Sequence, residues 1–415
     1  MIPVKNILEV SNKLKYILKP SPLHEIERLS KKYECKVFLK REDLQLGRSY
    51  KIRGAFNKIS SLNDEERKNG VVCASAGNHA QGVALSCSKL QINGTIFMPK
   101  TTPKQKVDKV RQFGGEFVDI RLIGDTFDDA SKEARKFEKT HSTTFIHPFN
   151  DPKIIEGQGT VGKEIYEQAD DDIDFIFIPI GGGGISSGVG SYFKQVNPNT
   201  KIIGVEPMGA ASMKLSMEKN KVTKFENMDR FVDGAAVAKV GELNFEICKE
   251  VLDDIIVVPE GKACSVILEM YNEEAIVVEP SGALSIGALD FMKEEIKGKN
   301  VVCLISGGNN DITRMEEIKE RSMLYEGLKH YFMVSLPKRA GSFKEFVNNI
   351  IGPTDEITLI EYDSKKSSGD IAPALIGIEV KHQEDLDGII NNLNKHNIKF
   401  NLLNDSPMLF SYLVK

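Results

Sequence analysis

The chain has 415 residues, 41% of them hydrophobic, enough to bury the cores of about two to three domains. Its 55 Lys+Arg against 59 Asp+Glu give a net charge of −4, a near-balance that argues against nucleic acid or an anionic membrane as the main partner. No apolar run reaches the roughly 18–20 residues of a membrane span, the opening MIPVKNILEV lacks a signal-peptide core, and six cysteines without C-x-x-C spacing read as reduced core thiols of a cytoplasmic protein.

From about residue 35 to 312, strand-like runs alternate with helix-like ones, which predicts parallel sheets covered on both faces and a ligand site just beyond the strand ends. The first strand, KVFLK, leads to GRSYKIRGAFNKI, residues 47 to 59. There Ile52, Ala55, Phe56 and Ile59 fall at i, i+3, i+4 and i+7, the buried stripe of a helix, with Ser49 as its expected N-cap. Lys51 then sits in the first turn, where the helix dipole disfavours a cation by roughly 0.3–1 kcal/mol. An amine wanted uncharged explains that placement. Next, GVVCAS runs into ASAGNHAQG, residues 74 to 82. Ser75, Gly77, Asn78 and His79 lie on the turn, where free backbone N–H groups can hold a carboxylate. Ser75 and Asn78 read equally well as helix caps, and His79 as a structural histidine.

After GTIFMP and the helix PKQKVDKVRQF, the strand DIDFIFIPI enters Gly181, Gly182, Gly183 and Gly184, with a helix starting near Ile185. Glycines let a backbone approach a ligand closely, and the helix N-terminus favours a phosphate. A tight turn is the bland alternative. No G-K-[S/T] follows, and Ser186 and Ser187 stand where a dinucleotide fingerprint needs its last glycine, so the phosphate is not expected to be that of ATP or NAD. The strands KIIGVEP and DIIVVPE follow, then VEPSGAL, where Glu279 reads as a helix start or as a titrating carboxylate near the site. Finally KNVVCLIS places Ser306 directly after a strand, where a hydroxyl can bond a ring nitrogen without imposing a charge; an ordinary turn reads as well. Beyond residue 314, a charged helical connector precedes a smaller β-α-β-β-α-β pattern, a ferredoxin-like plan, with a polar hairpin loop at 363–370.

A buried-amine lysine, a phosphate cradle, a carboxylate cradle and a ring-nitrogen partner together describe pyridoxal phosphate receiving an amino acid. The motifs SYKIRGA, ASAGNHAQG, GGGGI and SGGNN resemble those of fold-type II pyridoxal phosphate enzymes. The whole chain, tail included, resembles the biosynthetic threonine dehydratase (threonine ammonia-lyase) family. The resemblance implies an α/β, tryptophan synthase β-like catalytic part of two parallel-sheet subdomains over 1–320, and an ACT-like regulatory domain over 329–415. It implies Lys51 as the Schiff-base lysine and base, Asn78 at the phenolic oxygen, Gly181 to Gly184 with Ile185 at the phosphate, and Ser306 at the pyridine nitrogen. Ser75, Gly77 and His79 would line the substrate carboxylate pocket, and no metal is expected. Tyr50 stands where the family usually has phenylalanine, and Ala340 where the ACT motif usually has proline.

The resemblance further implies L-threonine as substrate, 2-oxobutanoate and ammonia as products, the first step of isoleucine biosynthesis, and a homotetramer. Isoleucine is the implied inhibitor, with valine its antagonist. Serine dehydratases and serine racemases share the fold. Related racemases place a serine at the position of Ala76, whereas alanine cannot move a proton, and they bind a cation through a glutamate, kept here as Glu206, and a later aspartate, where this chain has Ser212, a departure that argues against that site. A non-catalytic amino-acid-binding descendant would have no reason to keep a disfavoured Lys51.

Overall fold

The computed structural model describes residues 1–362 and 369–404. Most of the polar loop expected at 363–370, and the LFSYLV end of the last strand region, lie outside the described residues. The chain divides into two compact units, Met1–Asn310 and Asp311–Lys415.

The first unit carries strands β1 (Leu23–Glu25), β2 (Lys36–Arg41), β3 (Val71–Ala74), β4 (Gly94–Met98), β5 (Val118–Leu122), β6 (Thr144–Phe145), β7 (Phe175–Pro179), β8 (Lys201–Pro207), β9 (Asp254–Val258) and β10 (Asn300–Ile305). They form two sheets, ordered β1-β2-β10-β7-β8-β9 and β5-β4-β3-β6. Apart from the antiparallel β1–β2 pair, all neighbours are parallel. Central strands such as β3 and β7 are buried at every residue, which is why they read as unbroken apolar runs rather than as alternation. One core packs Ile176, Ile178, Val302 and Leu304 of the larger sheet against Val189 and Phe193. The other packs Val71, Cys73, Ile96 and Met98 against Val83 and Ile146. All six cysteines are buried and free. No helix among the described residues is long and apolar enough to cross a membrane.

The second unit holds β11 (Lys329–Pro337), β12 (Glu356–Tyr362), β13 (Ile371–Glu379) and β14 (Phe400–Leu402), with helices Ser342–Ile350 and Asp385–Lys395. The antiparallel order β12-β13-β11-β14 completes the expected ferredoxin-like plan. Phe343, Phe346, Val347 and Ile350 follow the helical stripe and pack with Phe332, Val334, Ile376 and Ile378 of the sheet. The helix Met315–Tyr325, expected as a connector, belongs with this unit.

Candidate active site

Lys51 is the first residue of the helix Lys51–Ser60, and the stripe Ile52, Ala55, Phe56 and Ile59 is buried as the spacing predicts. Ser49 is not its cap. The cap position is Tyr50, without a side-chain hydrogen bond. Ser49 instead bridges Gly307, and the Tyr50 N–H points to the Ser306 carbonyl at 3.4 Å. This stitch brings the lysine turn beside the end of β10. Behind the turn, the buried Arg53 guanidinium pairs with Glu42 (2.8 Å) and with Glu164 (2.6 and 2.8 Å), which fixes the helix against its neighbours. Lys51 Nζ donates to the Pro148 carbonyl at 3.0 Å. Burial pulls the ammonium pKa down to about 8, against the opposing pull of Glu279. The lowered pKa brings the deprotonated amine within reach near neutral pH, and in that form an amine that gives one hydrogen to Pro148 keeps its lone pair for an incoming carbonyl carbon.

The glycine run follows β7. The helix Gly184–Val196 starts at Gly184, one residue before the expected Ile185, and Gly183 takes φ +91°, a conformation that L side chains rarely adopt. The first N–H groups of that helix have no partner within it and suit an anion. A Cβ on Gly182 would fall 2.2 Å from Cγ of the Phe149 ring, so the backbone runs flush against that ring. The buried Asn244 amide clamps both strips of backbone, donating to Gly182 O (2.7 Å) and Phe149 O (3.2 Å).

After β3, Gly77 occupies the cap position of the helix Asn78–Leu90, and its N–H reaches Ser75 Oγ at 3.2 Å. His79 Nε2 contacts the Ile146 carbonyl at 2.8 Å and so carries the proton, while burial pulls its pKa down to about 3. The ring is neutral and engaged elsewhere; what His79 can offer a carboxylate is its backbone N–H. Asn78 Nδ2 donates to both oxygens of Glu279 (2.8 and 3.0 Å), and Asn309 Nδ2 donates to Asn78 Oδ1 (2.8 Å). Glu279 does stand at the start of the helix Pro280–Gly287, but its side chain caps nothing there. Burial raises its pKa, opposed by hydrogen bonds from Ser281 and Asn78. Ser306 is buried directly after β10, 3.4 Å from Ser281 Oγ.

Lys51, Ser75, Gly77, Asn78, His79, Gly181 to Ile185 and Ser306 line one cavity of about 630 Å³, with the ends of β3, β7 and β10 as its floor. The same cavity is lined by residues the sequence did not single out: His147, Phe149 and the stretch Asp233 to Lys239. His147 Nδ1 accepts from the N–H groups of Phe149 (3.2 Å) and Asn150 (2.9 Å), and burial lowers its pKa to about 4, so the proton of the neutral ring sits on Nε2. It follows β6, and the strand-end rule would have found it had so short a strand been legible. Lys106 ties the smaller-sheet side to Asp233 at 2.9 Å. Glu206 lies apart from this set: its oxygens accept the N–H groups of Met213 (2.7 Å) and Lys214 (2.8 Å). Among the described residues no group of three or more His, Cys, Asp or Glu is placed to hold a metal ion.

Residues 14–307 match the family model described as pyridoxal-phosphate dependent enzyme, and residues 320–413 that of the C-terminal regulatory domain of threonine dehydratase. The biosynthetic L-threonine dehydratase IlvA of Halalkalibacterium halodurans is 55% identical over 413 residues, covering 100% of this chain and 99% of the relative. The solved processed form of threonine deaminase isoform 2 from Solanum lycopersicum is 42% identical, with a TM-score of 0.73 over 77% of this chain and 93% of that one. Maize serine racemase is 30% identical, with a TM-score of 0.71 over 78% and 98%. The chain therefore belongs to the pyridoxal-phosphate dependent enzymes, in the threonine dehydratase family that carries the C-terminal regulatory domain.

Proposed function

We propose that this chain is a threonine ammonia-lyase, converting L-threonine to 2-oxobutanoate and ammonia as the first step of isoleucine biosynthesis. The observation that carries this reading is a half-buried lysine of lowered pKa facing one cavity with a glycine cradle, in a chain 55% identical over its full length to a biosynthetic threonine dehydratase. The residues fit pyridoxal phosphate. A Cβ would fill the space where the Gly182 backbone lies flush against Phe149, and the helix start at Gly184 offers unpaired N–H groups to a phosphate.

In this reading Lys51 would hold the cofactor through its aldehyde, Gly181 to Gly184 with Ile185 would hold the phosphate, Asn78 would face the phenolic oxygen and Ser306 the ring nitrogen. When bound, the cofactor supplies an electron sink for the bond at the substrate α-carbon. The chain's own groups do the rest. Ser75, Gly77 and the backbone N–H of His79 orient the substrate carboxylate. The Lys51 amine, once free, would take the α-proton as general base. The β-hydroxyl departs as water, and hydrolysis of the released product restores that water and frees ammonia. Ser306 carries no charge and leaves the ring nitrogen less protonated than an acidic partner would.

The 1–320 part would carry catalysis and the 329–415 part regulation, with isoleucine as inhibitor and valine as its antagonist, in a cytoplasmic homotetramer. Racemization is disfavoured because Ala76, which lines the cavity, has no proton to move to the opposite face. The test is a 2-oxo acid assay with L-threonine and L-serine. Release of 2-oxobutanoate from threonine supports the reading, and its absence in cofactor-loaded protein refutes it.

A further inference from the structure

Glu279 stands among the polar groups of the cavity with no part in the reaction as described so far. Its carboxylate accepts from Asn78 Nδ2 at 2.8 and 3.0 Å and from Ser281 Oγ at 2.7 Å. Ser281 Oγ in turn lies 3.4 Å from Ser306 Oγ. The slot that holds the carboxylate is tight. A Cβ on Gly307 would fall 2.5 Å from Glu279 Oε1, and one on Gly234 3.2 Å from it. The chain therefore has glycine on two sides of this one side chain.

The hydrogen count gives the arrangement a direction. Asn309 Nδ2 is anchored on the Gly47 carbonyl (2.8 Å) and also donates to Asn78 Oδ1 (2.8 Å), while Lys109 Nζ holds Asn309 Oδ1 at 3.1 Å. With its oxygen turned to Asn309, the Asn78 amide can present only N–H to Glu279 and to the cavity. On the other side, the Ser281 hydroxyl gives its hydrogen to Glu279, so toward Ser306 it has lone pairs only. Ser306 has a single hydrogen, for which the Ser281 oxygen is one acceptor at 3.4 Å, so its direction toward the ring is not set by this chain of bonds.

We propose that Glu279 is a positioning residue whose carboxylate, anchored also by the Ser281 hydroxyl, fixes the Asn78 amide and makes Asn78 a hydrogen-bond donor toward the cofactor. This rests on the placement of Asn78 given under the proposed function. A glutamine at 279 would keep the shape but bring an NH₂ group against Asn78 or Ser281, both of which donate now. A donor facing Ser281 would turn the Ser281 hydrogen away from residue 279 and loosen the anchor of that side chain.

The experiment compares full-length wild type, Glu279→Gln, Glu279→Asp, Asn78→Ala, Ser281→Ala and the Glu279→Gln/Asn78→Ala double variant. The readouts are the visible absorption band of bound pyridoxal phosphate and its dissociation constant, with circular dichroism as the folding check. Glu279→Gln is expected to move the band and weaken affinity about fivefold or more, and Glu279→Asp to restore part of both. In the double variant, the Asn78 change should cost less than it does alone, because the two act as one unit. A folded Glu279→Gln with unmoved band and affinity, or fully additive losses, would overturn the proposal. If Glu279→Gln does not fold, coupling between Asn78→Ala and Ser281→Ala decides: non-additive losses support the proposal and additive losses overturn it. Failure of the underlying site would look different: wild type without a visible band, or Lys51→Ala with an unchanged one.

Discussion

Adding one methyl group at Gly182 should be felt at the cofactor. The Cβ of Gly182→Ala would fall 2.2 to 2.4 Å from three atoms of the Phe149 ring, where real Cβ contacts essentially never come under 3.0 Å. The phenyl must therefore move. Its backbone is held on both sides, by the Phe149 N–H on His147 Nδ1 (3.2 Å) and the Asn244 amide on the Phe149 carbonyl (3.2 Å), so the ring yields rather than the chain. Phe149 lines the cavity, and space taken by a displaced ring is space denied to the cofactor. Overpacking of this kind costs about 1–3 kcal/mol. If binding must reverse the displacement, affinity falls by roughly 5- to 150-fold, at tenfold per 1.4 kcal/mol. The assay is titration of cofactor-free protein with pyridoxal phosphate, followed by its visible band. Phe149→Ala/Gly182→Ala should recover part of the loss, because the clash is gone. Wild-type affinity in Gly182→Ala would refute the claim that close backbone approach builds the cradle.

Other expectations can be checked in parallel. Arg53→Ala leaves the buried Glu42 without its partner and should destabilise the protein by about 3–5 kcal/mol, measured by denaturant unfolding. The Lys51 ammonium has a pKa of about 8 in the fold against an ordinary 10.5, so between these values the unfolded chain binds more protons and stability rises with pH. Cofactor-free wild type should therefore gain on Lys51→Ala between pH 8 and 10.5, and a constant difference across that window would contradict the neutral amine. Isoleucine should shift the threonine saturation curve of the intact chain by up to about 5–150-fold, with valine opposing it; an unmoved curve would remove the regulatory reading.

The parts of the fold that showed in the sequence are those whose burial leaves a local trace. β3, β7 and β10 are apolar on both faces and announce themselves. β5 carries exposed Asp119 and Arg121, and β1 and β6 are only three and two residues long, so none of them stands out. Lys51 was legible because a helical stripe fixed its place in the first turn. The Asn78–Glu279 pair was not, because 201 residues separate its members and neither helix start hints at the other. The bond from the His79 ring to Ile146 is hidden for the same reason, and only that bond distinguishes a ring that faces substrate from a ring that faces the core. The segment 224–239 lines the cavity without any regular element over most of its length, and no periodicity could point to it.

The central claim is that the Lys51 amine both anchors pyridoxal phosphate and moves the α-proton of L-threonine. The most direct measurement is 2-oxobutanoate release from L-threonine by purified wild type and Lys51→Ala, each supplied with pyridoxal phosphate and matched in fold by circular dichroism. The expected result is turnover and a visible cofactor band in wild type, with neither in Lys51→Ala. Threonine turnover by Lys51→Ala at a near-normal rate would contradict it.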